Sequence, residues 1–314
     1  MNDSGTLFLP PASSTIAPEV DALFQFILVT SIVFFIIVVF GAFYFAYRYR
    51  RRSKKDYTAD LSENRRLEIF WTIIPTILVF VVFFWGFKTY LKMHIVPPEG
   101  LKIKVTGQKW FWQFDYPNGA SSTNDLVVPV GKSVELLMSS QDVVHSFFVP
   151  NFRIKMDVLP NRYTVTWFEA TAEGEYDLFC TEFCGTGHSA MIGKVKVLSF
   201  REFNEWLENS ASAGEGLSLE EFGSKLYQSK ACITCHSIDG SPNTGPTFAN
   251  LVGKQRLFSG GSSVVADENY LRESILNPQA KVVEGYQPVM PTYQGILKDR
   301  EIDALITYIK SLSQ

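Results

Sequence analysis

Two stretches without a single charged residue decide what this chain can become. Residues 22–47 are 26 consecutive uncharged, mostly apolar positions, and residues 69–87 are another 19. At about 1.5 Å per residue the first run makes a helix of about 39 Å, enough to cross a hydrocarbon core of about 30 Å with tilt. A 314-residue chain that is 46% hydrophobic and 14% aromatic is too apolar for soluble domains alone. The pattern predicts a transmembrane hairpin over 22–91, with spans at about 22–47 and 69–91 and a kink at Pro75 near the start of the second. The connector 48–66 holds eight basic side chains (Arg48, Arg50, Arg51, Arg52, Lys54, Lys55, Arg65, Arg66), and the first 22 residues hold none. Basic loops stay inside, so this connector is cytoplasmic, both ends face outward, and residues 1–21 form an external N-terminal segment. A cleaved signal peptide fits the first run poorly, because the run is too long and its basic residues follow it.

After the hairpin the text alternates. Lys102–Val105, Ser133–Leu136, Tyr163–Trp167 and Lys194–Val197 read with period two between Pro, Gly and Asn turns, which predicts an antiparallel sandwich over residues 92–206. Residues 207–218 are small and polar and read as a linker. Beyond it the period turns helical: Leu219–Lys230 is one helix, and Arg300–Leu312 places Ile302, Leu305, Ile306 and Ile309 on one stripe. The expected fold class is a multidomain membrane protein: hairpin, β-sandwich and a small all-α domain at 219–314. That last domain is too short for a large core of its own, so a bound porphyrin would supply much of its apolar centre.

All four cysteines fall into two ligand motifs. Cys180-Thr-Glu-Phe-Cys184-Gly-Thr-Gly-His188-Ser-Ala-Met191 puts two thiolates, an imidazole and a thioether within twelve residues, a donor set that suits copper and not a hard cation. It follows a strand, Glu175–Phe179, whose even positions lead to Cys180. A mononuclear blue-copper site needs one cysteine; with a second, and with His145 arriving from an earlier segment, the donors suffice for two copper ions sharing both sulfurs. A Cys2His2 zinc site would leave Met191 without a role, and a Cys180–Cys184 disulfide would leave His188 and Met191 without one. The second motif, Cys232-Ile-Thr-Cys235-His236, is the attachment signature of a c-type haem, although a C-x-x-C-H string also occurs by chance or as a thiol redox pair.

Asp142-Val-Val-His145-Ser-Phe-Phe-Val-Pro150, Lys155-Met-Asp157 and the Cys180–Met191 string together resemble subunit II of the haem-copper cytochrome c oxidases, over roughly residues 22–206. The resemblance implies a cupredoxin-like sandwich with a dinuclear copper A centre. His145, Cys180, Cys184, His188 and Met191 would bind copper by side chain and Glu182 by its backbone carbonyl. The Glu182 carboxylate would also reach a magnesium ion at the contact with subunit I. In the aromatic run Lys109-Trp110-Phe111-Trp112-Gln113-Phe114 the resemblance makes Trp110 the electron-entry residue, while Trp112 and Phe114 read equally well as core. The family has His and Gln where Gln108 and Lys109 stand, and often Gly in place of Asn161. Glu68 in the first turn of the second span suits the helix dipole; the resemblance places the matching glutamate at the cytoplasmic mouth of a proton path.

Residues 219–314 resemble a class I cytochrome c. By that resemblance Cys232 and Cys235 bond the haem, His236 and Met290 are its axial ligands, and the Pro246 carbonyl orients His236. Met290 is the only methionine after the motif. Gly223 and Tyr227 would pack on Leu305 and Tyr308. A haem-copper oxygen-reducing centre needs more imidazoles than His94, the one histidine of four not taken by a motif. Dioxygen reduction therefore belongs to a partner chain, and this one is an electron inlet. The implied order is donor, haem c, copper A, then haem a and the haem a3–copper B site of subunit I, with proton pumping. A tether of about twelve residues, reaching at most about 40 Å, would make the haem-to-copper encounter intramolecular. Partners implied are subunit I, subunit III, membrane lipid, and soluble cytochrome c or an upstream quinol-oxidising complex as donor, in a bacterial cytoplasmic membrane with both metal domains on the outer side. The electron-entry subunit of a copper A-containing nitric oxide reductase, or a membrane-anchored electron carrier or copper-handling protein, are the alternatives. Nucleic-acid binding is excluded by charge: residues 92–206 carry 11 basic against 13 acidic side chains and residues 217–314 carry 9 against 10.

Overall fold

The computed structural model describes residues 5–53, 57, 63–212 and 214–313. Lys54 and Lys55 of the basic connector, residues 1–4 of the N-terminal segment, residue 213 of the expected linker and residue 314 lie outside the described residues.

The two apolar runs form α1 (Ala17–Arg48) and α2 (Arg65–His94). Both helices are long and apolar enough to cross a membrane, and each extends several residues past its uncharged run. Pro18 and Glu19 suit the first turn of α1, where no amide hydrogen is needed and negative charge is favoured. Asn64 caps α2 by accepting from the Leu67 amide at 3.2 Å, and the helix runs on through Pro75. Phe26 of α1 meets Trp85 of α2 at 5.7 Å. Lys92 and Glu19 pair at one end of the hairpin. There Trp167 Nε1 donates to the Lys92 carbonyl at 3.2 Å, and Arg153 grips Asp21 at 2.7 and 2.9 Å. Both helices are thus tied to the sandwich at the same end, which puts Arg48 of α1 and Arg65 of α2 at the far end.

The sandwich holds β1 (Leu101–Gln108), β2 (Phe111–Asp115), β3 (Ser121–Thr123), β4 (Asp125–Pro129), β5 (Ser133–Ser140), β6 (His145–Val149), β7 (Ile154–Val158), β8 (Thr164–Glu169), β9 (Gly174–Cys180) and β10 (Ile192–Leu198). One sheet runs β3-β2-β1-β5-β8 and the other β4-β10-β9-β6-β7. Most pairs are antiparallel, but β1 with β5 and β4 with β10 are parallel. Period-two patterning fixes which face is buried and is silent on strand direction, so these two pairs were not legible. Trp112, Phe114, Phe147, Phe152 and Phe168 are fully buried between the sheets.

Helix α3 (Phe200–Ala211) follows, opened by a Ser199/Glu202 capping box. It takes in residues 207–211, the first part of the stretch expected to be linker, because Trp206 docks on Tyr116 at 4.9 Å and carries the helix onto the sandwich. The C-terminal domain contains α4 (Leu219–Ser229), a two-strand ladder β11 (Gln255–Leu257) and β12 (Ser263–Val265), α5 (Glu268–Leu276) and α6 (Asp299–Ser311). The ladder adds three-residue strands to an otherwise helical domain, too short to show a period. At Gly223, a Cβ would lie 2.0 Å from the Ala304 carbonyl, so only glycine lets α4 cross α6 this closely. Tyr227 meets Tyr308 at 5.8 Å beside it.

Candidate metal centre and haem cavity

Strand β9 delivers Cys180 to one edge of the sandwich, and the loop after it turns back so that β10 can start at Ile192. That reversal brings four donors onto one spot. Cys180 Sγ lies 3.8 Å from Cys184 Sγ, far beyond the ~2.05 Å of a disulfide. With metal–sulfur bonds of about 2.3 Å, thiolates this far apart can both bond the same ion. Nδ1 of His188 is 3.4 Å from Cys184 Sγ, and Met191 Sδ is 3.9 Å from it. His145, at the start of β6, brings its Nδ1 to 3.9 Å from Cys180 Sγ, and the Glu182 carbonyl sits 3.4 Å from that sulfur. The potential ligand atoms of His145, Cys180 and Cys184 all lie within 4.8 Å of one another, and the three residues are buried. Soft sulfur and imidazole donors with no carboxylate among them fit copper, and the buried thioether of Met191 fits copper better than zinc. The Glu182 side chain is exposed at the surface.

The residue the sequence did not single out is Asp142. Its carboxylate accepts from the Lys109 amide at 2.8 Å and holds Nε2 of His145 at 2.9 Å, which fixes the tautomer that leaves Nδ1 free for a metal. Burial works against the charge on both, but their mutual hydrogen bond together with the Lys109 and Val143 amides on Asp142 and the Cys180 sulfur on His145 outweighs it: Asp142 is held below the usual carboxylate range and His145 above the usual histidine range. A carboxylate three residues before a ligand histidine is a signal the sequence does carry. Asp142→Ala should lower copper affinity about 10–100-fold, measured by competition with a chelator; unchanged affinity would show that His145 needs no such support.

Burial raises the Cys180 thiol, but hydrogen bonds from the His145 ring, from backbone at Ser146 and Glu182 and from Cys184 outweigh it and bring it down to about 6. Burial and the neighbouring Cys180 thiolate push Cys184 up to about 12. At pH 8 the metal-free pair therefore holds one proton, which a metal must displace. Below pH 6 Cys180 is protonated as well, so proton release on copper loading should rise as pH falls through that value. A pH-stat titration of the metal-free protein checks this, and a release that stays flat between pH 8 and pH 5 would contradict it.

In the C-terminal domain a mostly apolar cavity is lined by Cys232, Cys235, His236, Pro246 and Met290, the five residues the motif and the resemblance single out. His236 Nδ1 donates to the Pro246 carbonyl at 2.7 Å, leaving Nε2 with its lone pair. Burial holds this ring below the usual histidine range, so it is neutral. Gly245 permits the approach: a Cβ there would sit 2.7 Å from the ring. Phe248 stacks on the other side at 4.4 Å. Burial raises both cavity thiols, Cys232 to about 12, which makes a poor thiol redox couple, since exchange needs a thiolate. The cavity fits a haem.

Trp110 joins the two sites. Its Nε1 donates to the Cys184 carbonyl at 3.2 Å, and the residue is among those lining the haem cavity. Gly187 lies against the indole so closely that a Cβ would fall 2.4 Å from it. Trp112 and Phe114 are core residues. Glu68 is exposed in the first turn of α2, and His94, at the other end of α2, stacks on Tyr90 at 4.0 Å.

Three family descriptions match the chain in order: cytochrome c oxidase subunit II, transmembrane domain, over residues 2–89; cytochrome c oxidase subunit II, periplasmic domain, over residues 120–198; and cytochrome c over residues 221–313. Cytochrome c oxidase subunit 2 of Alkalihalophilus pseudofirmus is 34% identical over 88% of this chain and 82% of its own length. The Bacillus subtilis protein of the same name is 28% identical over 86% and 82%. The crystal structure of the periplasmic domain of subunit II of cytochrome oxidase from Bradyrhizobium japonicum aligns with 37% of this chain and 96% of its own at 32% identity, with a TM-score of 0.36. The chain therefore belongs to the cytochrome c oxidase subunit II family, as a membrane-anchored member with a C-terminal cytochrome c domain and its soluble domains on the periplasmic side.

Proposed function

We infer that this chain takes electrons at a haem held by Cys232, Cys235, His236 and Met290 and hands them through Trp110 to a dinuclear copper A centre. From there they would pass to haem a and the dioxygen-reducing haem a3–copper B site of subunit I, with proton pumping. The observation that carries this reading is the double contact of Trp110, bonded to the backbone of Cys184 on one side and lining the haem cavity on the other. When bound, the copper pair and the haem supply the reversible one-electron chemistry.

The side chains do the holding. His145, Cys180, Cys184, His188 and Met191, with the Glu182 carbonyl, come from a strand pair and a loop braced by the sandwich, so the donors stay put when charge changes. Asp142 keeps His145 in register. Pro246 does the same for His236, and neutral His236 and Met290 would hold the haem through two uncharged donors. Glu182, whose carboxylate is exposed, would meet a magnesium ion at the subunit I contact, and exposed Glu68 in the first turn of α2 would pass protons toward subunit I. Subunit III completes the assembly in this reading, and the donor is a soluble cytochrome c or a quinol-oxidising complex.

Rapid mixing of the assembled oxidase with a reduced donor tests the order. The haem absorbance should change first and the copper band after it; copper reduced while the haem stays oxidised would overturn the route.

A further inference from the structure

The cytochrome domain does not merely hang near the copper domain; the copper domain grips the loop that carries Met290. Residues 277–298, between α5 and α6, contain no regular structure, and a loop of that length needs outside anchors to stay in place. On one side α5 supplies them. Thr292 Oγ1 donates to the Leu276 carbonyl at 2.6 Å and the Tyr293 amide to the Ile275 carbonyl at 3.1 Å, while within the loop itself Gln279 Nε2 donates to the Met290 carbonyl at 3.3 Å.

On the other side the anchors belong to the copper domain. Gln108, 2% exposed at the end of β1, donates from Nε2 to the Thr292 carbonyl at 2.9 Å. Its Oε1 is buried with no hydrogen-bond partner among the described residues. Phe111 stacks on Tyr293 at 5.9 Å and 8°, and it is buried among the apolar side chains of the cytochrome domain, not those of its own sandwich. Tyr293 in turn donates to the Lys230 carbonyl at 2.9 Å, and the buried Lys230 ammonium reaches Ser121 of β3 at 3.0 Å. The copper domain thus touches the chain on both sides of the haem cavity, two residues before Cys232 and two residues after Met290.

We propose that Gln108 and Phe111 of the copper domain are positioning residues for the sixth ligand of the haem, so that docking of the two domains keeps Met290 on the iron. The proposal rests on the haem reading above and goes beyond it, since it makes the coordination of one metal depend on the surface of the domain that holds the other. A thioether is a neutral, weak donor on a loop without regular structure. Once Thr292 and Tyr293 lose their outside partners, the loop can lift and leave the iron open to an external ligand.

The test uses the full chain, loaded with haem and copper in detergent, as wild type, Gln108→Leu, Phe111→Ala and Phe111→Tyr. Carbon monoxide binds ferrous haem only where Met290 has left. The fraction of haem that binds it should rise about 5-fold or more in Gln108→Leu and Phe111→Ala, with a matching loss of the sulfur-to-iron charge-transfer band of the ferric form. Phe111→Tyr keeps the ring and should behave as wild type. Wild-type carbon monoxide exclusion and an intact band in both disruptive variants would overturn the proposal. The mixed-valence copper signal reports whether the sandwich is folded; if Phe111→Ala loses it, Gln108→Leu alone decides. A wild-type chain lacking methionine-ligated haem would instead refute the parent reading, and this one with it.

Discussion

Cys184→Ser is expected to abolish the mixed-valence copper signal and to cut turnover of the assembled oxidase at least about 100-fold, the upper end of what losing even an outer partner of a ligand costs. The two sulfurs stand 3.8 Å apart, and Cys184 is the one near both His188 and Met191. Removing it takes away the sulfur that links His188 and Met191 to Cys180 and His145. Serine keeps the volume but offers a hard hydroxyl oxygen where a soft thiolate is needed. The remaining set, Cys180 with His145, His188 and Met191, is that of a mononuclear site, so copper content should fall to one per chain or less. The haem cavity is built from other residues, and the haem spectrum should not change. Two retained coppers with a retained mixed-valence band would show that the sulfurs are not shared.

Trp110→Leu should leave both metal sites loaded and slow electron transfer between them by about a hundredfold, the scale on which misplacing a reacting group by about 1 Å acts. No ligand is lost, because Trp110 offers no donor to the copper cluster: it hydrogen-bonds the Cys184 carbonyl and packs on Gly185 and Gly187. What goes is the aromatic ring between the copper loop and the haem cavity. Gly187→Ala supplies an independent route to the same result: its methyl would need the space the indole fills and must push the ring aside. Rapid-mixing traces should show the haem reducing at the wild-type rate and the copper lagging in both variants. A copper phase as fast as wild type in both would remove Trp110 from the route.

Much of this was legible because chemistry and folding used the same letters. The uncharged runs gave the helices, since no other structure hides so many apolar residues in lipid. The cysteine spacing gave the ligand loop, since a strand followed by a tight reversal is what puts Cys180, Cys184, His188 and Met191 together. His145 was placed by scarcity of histidine and the family pattern, and the structure brings it to 3.9 Å from Cys180. What stayed hidden depends on contacts between distant segments. The spacing of Asp142 to His145 is visible in the sequence, but that its carboxylate also accepts from the Lys109 amide shows only once the β1–β2 turn is folded beside it. The expected tether is partly helical, because Trp206 finds Tyr116 across 90 residues of sequence. Phe111 reads as a strand residue of the copper domain, and nothing in its neighbours says that its ring packs in the next domain. Gln108 stands where the family pattern differs, and that difference turned out to face Thr292 of the fused cytochrome.

The most direct test is metal content with electron spin resonance on the purified, fully loaded chain. The account predicts two coppers per iron, a mixed-valence signal from one electron spread over both coppers, and a low-spin haem with histidine and methionine ligands. Zinc in the thiolate site, or fewer than two coppers for each iron, would contradict it.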